Sequence, residues 1–215
     1  LHRKRDVWKV RMDSLEGVLK APAPGDDHEL RCFRTEKAVL RYLTGIDVQL
    51  LDEGSYGGRD FHVLSYIEGI DLARNVGTGT LGVQATLKVG VGICDKLAVV
   101  HAKEIVHFDI KPNNVIITSG GGVALIDYGL ARPFFHQDTS DSFDGTPGFA
   151  SPETILGQKV DARSDVYSLG VMLYFCLAGR TPFEYDDTGE LCERHVSQDV
   201  PNVRNRSSLV PVELA

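Results

Sequence analysis

His107-Phe108-Asp109-Ile110-Lys111-Pro112-Asn113-Asn114 is followed, eighteen residues after Asp109, by Asp127-Tyr128-Gly129. The first run crowds an acid, a cation and an amide together just beyond a long helical pattern and just before a β-rich segment. In the second run the acid comes directly after the apolar stretch Val123–Ile126. Taken singly, Asp109 reads equally well as a cap and Asn114 as a turn former. Their order and spacing carry the information. Asp109 stands five residues before Asn114, so one compact loop can present both to a common cleft.

Moving toward the N-terminus, residues 83–102 carry Leu87, Val91, Cys94 and Ala98 at spacings of four, three and four, which predicts an amphipathic helix with these residues inward. Gly90 and Gly92 cost helix propensity there and predict close packing. Before it, Val7–Met12 and Gly17–Ala21 read as a hairpin across Asp13-Ser14, and Leu50–Glu53 and Phe61–Tyr66 as a second pair across Gly57-Gly58. Between the pairs, Pro22-Ala-Pro-Gly25 precedes a helical pattern over 27–43, where Phe33, Leu40 and Leu43 fit a 3.6-residue period only in part. Toward the C-terminus, Asn114–Thr118 and Val123–Ile126 read as short strands. Val166–Leu177 is almost continuously apolar and predicts a helix buried nearly all round, with a further helix near 190–196. The expectation is an α+β fold of two lobes: a small antiparallel sheet plus helix over 1–67, and a mainly helical lobe over 68–215.

Gly145-Thr-Pro-Gly-Phe-Ala-Ser-Pro-Glu153 and Asp165-Val-Tyr-Ser-Leu-Gly170 complete the ordered set. With them the chain resembles the eukaryotic-like (Hanks-type) serine/threonine protein kinase family, from about Val7 to its end, and the Ser-Pro-Glu spelling resembles bacterial members. The resemblance implies that Asp109 orients the substrate hydroxyl and accepts its proton, and that Lys111 neutralises the migrating phosphoryl. It implies that Asn114 and Asp127 hold the metal, and that Lys20 and Glu36 form the ion pair at the ATP phosphates. Thr146 resembles the threonine bridging Asp109 and Lys111 in serine/threonine-specific members. His107 resembles a core histidine stacked on Tyr128, with Leu40 next in that stack. Asp165 resembles the anchor of the catalytic-loop backbone, and Glu153 the partner of a late arginine. At the adenine end the resemblance assigns Val7 and Val18 to the roof, Leu64 to the gatekeeper, Ser65 to Ile67 to the hinge and Ile116 to the floor; ordinary strand packing explains these apolar residues equally well.

The chemistry fits those residue types. Phosphoryl transfer demands positioning and charge neutralisation more than covalent help. Carboxylate and amide oxygens suit a hard cation, Mg²⁺ or Mn²⁺ in its place, and two lysines supply point positive charge. Four departures stand out. His2 and Arg5 fall where glycines of a phosphate loop would lie, so that loop reads as absent or degenerate. Val18 replaces an alanine, and Phe108 replaces an arginine that would meet a phosphate on the segment holding Thr139, Ser140 and Ser142, a role left to Arg132. The family's last helices, with the arginine that would pair with Glu153, have no counterpart, which would leave Glu153 buried and unpaired, so the pattern reads as truncated at both ends.

Composition bounds the partners. Twenty-three basic against thirty acidic residues give a net charge of −7, which excludes a global positive field for nucleic acid. No run approaches the roughly 18 apolar residues of a membrane span. Cys32, Cys94, Cys176 and Cys192 lie far apart without metal-ligand spacing, which favours free thiols in a reducing, cytoplasmic setting. The resulting expectation is an ATP- and Mg²⁺-dependent kinase of protein serine and threonine, with a protein substrate, no nucleic-acid partner, no membrane segment and no specified oligomeric state. The alternative is a pseudokinase scaffold, supported by the missing glycines and Val18.

Overall fold

The computed structural model describes residues 6–12, 15–77, 79–136 and 144–214. His2, Arg5, Asp13, Ser14, Thr139, Ser140 and Ser142 lie outside the described residues.

Strands β1 (Asp6–Met12) and β2 (Leu15–Ala21) form the first antiparallel pair, and β3 (Leu50–Tyr56) and β4 (Arg59–Ser65) the second. They join through β2 and β4 into one sheet of order β1-β2-β4-β3. Helix α1 (Asp27–Tyr42) packs on this sheet, with the Asp26 side chain capping its start by accepting from Glu29 N. Its inward stripe is Cys32, Phe33, Glu36, Val39 and Leu40. The 3.6-residue period looked broken in the sequence because a carboxylate, Glu36, occupies a fully buried position in that stripe.

Beyond the sheet, β5 (Gly69–Asp71) and α2 (Leu72–Gly77) lead into α3 (Val83–His101). The short pair β6 (Ile105–Val106) and β9 (Arg132–Pro133) and the sheet β5-β7-β8, with β7 (Val115–Thr118) and β8 (Val123–Leu125), frame the 107–114 and 127–129 runs. Helices α4 (Pro152–Ile155), α5 (Ala162–Ala178) and α6 (Thr188–Ser197) follow. Helix α5 is buried on most sides, with Val166 and Gly170 exposed. The main core of this part joins Val89, Ile93 and Leu97 of α3 to Leu169, Met172 and Cys176 of α5, with Ile110, Val115 and Leu125. Burial of this kind is worth roughly 25 cal/mol per Å² of apolar surface. Among the described residues, no helix is long and apolar enough to cross a membrane.

One sequence expectation is overturned. Leu87, Val91, Cys94 and Ala98 are exposed, and the inward face of α3 is Thr86, Gly90, Ile93 and Leu97, each one position earlier. The helix is apolar on nearly all sides, so both stripes show the spacing four, three, four; a shift of one residue turns the helix by 100°. Close packing decides the phase. A Cβ on Gly90 would lie 3.3 Å from Leu173 of α5, and one on Gly92 2.9 Å from Val123 of β8. The predicted tightness at both glycines is present, and it selects the face. Glu153 also departs from expectation: it is half-buried and accepts a 2.5 Å hydrogen bond from Ser164 Oγ, so it is not left as a buried, unpartnered charge.

Candidate active site

The 107–114 loop is held from below by α5. Asp165, in the first turn of that helix, accepts from His107 N at 2.8 Å and Phe108 N at 2.9 Å, and pairs with His101 Nε2 at 2.8 Å. Phe108 is thereby kept at φ 72°, and Asp127 at φ 66°, two left-handed residues without the freedom of glycine. Such conformations cost about 1–3 kcal/mol each and persist where the surroundings over-determine them. His107 is fully buried and packs against Tyr128, the ring centroids 4.8 Å apart and the planes tilted by 55°. Burial holds its pKa below the ordinary histidine value despite the carboxylates around it, so it packs as a neutral ring.

This anchoring aims Asp109 upward. Thr146 Oγ donates to its Oδ1 at 2.8 Å, while Lys111 Nζ at 2.7 Å and Asn114 Nδ2 at 2.8 Å meet its Oδ2. Lys111 Nζ also donates to Thr146 Oγ at 2.8 Å, closing a ring of three side chains. A carboxylate with both oxygens engaged is fixed in orientation, which is what aligning a hydroxyl requires. The amide nitrogen of Asn114 is spent on Asp109, which leaves its carbonyl oxygen as a ligand, and Asp127 Oδ1 accepts from Gly129 N at 3.2 Å. Oxygens of this type fit Mg²⁺. Among the described residues no group of three acidic, His or Cys side chains could hold a cation alone. A donor set this sparse fits an ion whose remaining ligands are phosphate oxygens and water.

Across the cleft, Lys20 Nζ lies 2.6 Å from Glu36 Oε1, and His62 Nε2 lies 3.1 Å from Oε2. Burial pushes the Glu36 carboxyl up, but the Lys20 charge and the His62 hydrogen bond outweigh it and hold the pKa below the ordinary carboxylate value. A cleft of about 610 Å³ is lined by Val7, Lys20, Asp109, Lys111, Asp127 and Thr146 together with residues of α1 and the 144–146 segment. Eight of the sequence-chosen residues therefore meet: these six line the cleft, Glu36 backs it through Lys20, and Asn114 backs it through Asp109. The adenine-end residues do not line that volume, Val7 excepted. Val18 and Leu64 are cross-strand partners on β2 and β4, Leu64 and Ile67 pack toward α1, and Ser65 Oγ accepts from Gln49 N. Ile116 sits on β7 opposite Asp71.

Residues 48–212 match the family described as "Protein kinase domain". The chain belongs to the protein kinase family. Its relatives are of the Hanks-type serine/threonine class. It is 37% identical over 159 residues to the probable serine/threonine-protein kinase pknA2 of Bifidobacterium longum, covering 73% of this chain and 21% of that protein. It is 35% identical over 205 residues to serine/threonine-protein kinase PknL of Mycobacterium bovis, covering 94% and 51%. It is 32% identical over 224 residues to serine/threonine-protein kinase PknB of Mycolicibacterium smegmatis, covering 98% and 35%. The chain spans about half or less of the length of these relatives.

Two neighbours of these residues, His62 and Asp144, were passed over by sequence reasoning. His62 interrupts the apolar run Phe61–Tyr66 at an inward position, which was the available signal for it. Asp144 bridges Arg132 Nη2 and His28 Nε2, each at 3.1 Å, and the Arg132 guanidinium lies over the Phe108 ring at 4.2 Å. The positive charge that Phe108 lacks is thus supplied at its face by Arg132.

Proposed function

We propose that this domain transfers the γ-phosphoryl group of ATP to serine and threonine hydroxyls of a protein substrate, with residues 1–67 and 68–215 as the two lobes around the nucleotide. One observation carries the reading: the Asp109–Lys111–Thr146 ring and the Lys20–Glu36 pair face a single cleft. In this reading Asp109 orients the hydroxyl, whose oxygen bonds to the γ-phosphorus as the bond to the bridging oxygen of ADP breaks; the hydroxyl proton passes to the Asp109 carboxylate. Lys111 offsets charge on the transferring group, and Lys20, steadied by Glu36, holds the phosphates behind it. Asn114 and Asp127 would hold Mg²⁺, which neutralises phosphate charge when bound. Val7, Val18, Leu64, Ser65, Ile67 and Ile116 are proposed to receive the adenine. Thr146, tied to both Asp109 and Lys111, supports the serine/threonine class. The four cysteines are free thiols, which supports a reducing, cytoplasmic setting for the domain.

The test is transfer of labelled γ-phosphate from Mg·ATP to a generic basic protein, followed by phosphoamino-acid analysis. Wild type is expected to label serine and threonine, and Asp109→Asn to fall at least a hundredfold with its melting temperature kept. Equal labelling by both proteins would remove Asp109 from the mechanism. Labelling by neither, without stabilisation by Mg·ATP, would favour the scaffold reading.

A further inference from the structure

We propose that His62 is a positioning residue for phosphoryl transfer, acting through Glu36 to hold Lys20 toward the nucleotide; the inference rests on the kinase reading above. Lys20 and His62 are direct cross-strand partners on β2 and β4, so their side chains rise from the same face of the sheet. There they meet the two oxygens of one carboxylate, Lys20 at Oε1 and His62 at Oε2. His62 and Glu36 are both fully buried. The Phe33 ring lies parallel to the imidazole, 3° from coplanar with centroids 4.4 Å apart, which fixes the rotation of the histidine. Nδ1 of His62 is buried without a hydrogen-bond partner, and a carboxylate can only accept, so Nε2 carries the proton and donates to Glu36.

The consequence follows from satisfaction of the carboxylate. Without His62, Oε2 would be a desolvated anionic acceptor with nothing to bind. Glu36 would then turn to engage Lys20 with both oxygens or swing toward solvent. In either case the ammonium loses the placement that leaves its remaining protons for phosphate oxygens. Because the two donors reach the carboxylate from neighbouring strands, the Lys20–Glu36 pair is set by the sheet and α1 before nucleotide arrives. The wider row extends the same pattern: Glu53, the cross-strand partner of His62 on β3, pairs with Lys37 at 3.2 Å and with Arg41, both on α1.

Two readouts test this on the whole chain. In His62→Leu, the KM for Mg·ATP should rise at least fivefold while the KM for a peptide stays within twofold, and His62→Gln, whose amide can reach Oε2, should return the ATP value to within threefold of wild type. Separately, without nucleotide, the rate of Lys20 acylation by an amine-reactive reagent, followed by mass spectrometry, should change at least fivefold in His62→Leu, faster where Glu36 swings away and slower where it clamps Lys20 with both oxygens, and stay at the wild-type rate in His62→Gln. Should His62→Leu not fold, His62→Asn, too short to reach Oε2, takes its place. Unchanged Lys20 acylation in the Leu or Asn variant overturns the proposal, and so does failure of His62→Gln to restore it. Acylation needs no catalysis. A wild-type protein that transfers no phosphate would therefore defeat the kinase reading, while the acylation rates would still decide whether His62 positions Lys20.

Discussion

Helix α1 and helix α5 are held by opposite means. Against its sheet α1 buries a carboxylate, met by Lys20 and His62, and adds Lys37 and Arg41 to Glu53 further along. Helix α5 meets α3 through apolar side chains, Leu169, Met172 and Cys176 against Val89, Ile93 and Leu97. Apolar contact is non-directional and scales with area, so it stabilises many nearby arrangements. A buried ion pair favours one register over others and adds little net stability, because desolvation offsets most of the attraction. One part of the domain is thus fixed for bulk stability and the other for the position of a single charge.

The buried titratable groups divide in the same way. Glu36, with two donors, stays charged; His195 of α6, whose ring packs near Phe183 at 5.0 Å and whose Nδ1 lies 2.8 Å from Tyr167 OH, is driven neutral by burial, to a pKa of about 4.

Truncation separates the two helices most sharply. Met172→Ala, fully buried in the α3–α5 core, should cost about 4 kcal/mol of stability. Urea unfolding measures it, and a cost under about 1 kcal/mol would mean the core is not the main source of stability. Acid gives the next largest effect. The unfolded value for His195 is about 6.5, above its folded value of about 4. The unfolded chain therefore binds more protons in that window, and its contribution, present above 6.5, is lost as pH falls toward 4, worth about 3 kcal/mol. His195→Gln should flatten this slope. Glu36 responds later, because its folded pKa is depressed: its contribution is full above about 4.5 and lost only as pH falls below that. Stability measured from pH 7.5 to 3.5 would separate the two, and a single loss confined below 4.5 would contradict the histidine account.

Lys20→Ala addresses position in place of stability. It should lower kcat/KM at least about a hundredfold, or about 2.7 kcal/mol, while His62 continues to hold Glu36 and melting shifts by only about 5 °C. Activity within twofold of wild type would show that another cation serves the phosphates. The smallest effect is expected for Thr139, Ser140 and Ser142 replaced together by alanine. Arg132 is already stacked on Phe108 and paired with Asp144, so a carboxylate belonging to the chain occupies the basic group a phosphate would seek. Peptide kcat/KM should stay within about threefold, under about 1 kcal/mol. A hundredfold loss, matched by phosphatase-treated wild type and reversed by ATP, would show that phosphate is required.

The α+β element order, the hairpins and the compact catalytic loop were legible in the amino-acid sequence, because they depend on turn residues and on spacings within about twenty positions. So was the grouping of Asp109, Lys111 and Asp127 at one cleft, with Asn114 bonded to Asp109 behind them, since a short loop and a neighbouring strand leave them little choice. The inward face of α3 was not. Two apolar stripes one residue apart satisfied the same period there, and only the approach of Leu173 and Val123 to Gly90 and Gly92 chose between them. Packing also joined His62 to Glu36 across 26 positions and His101 to Asp165 across 64. Periodicity reports that a residue faces inward, and a buried polar group reports that it needs a partner. Which partner it finds is set by how helix and sheet pack, and that depends on contacts no local pattern encodes.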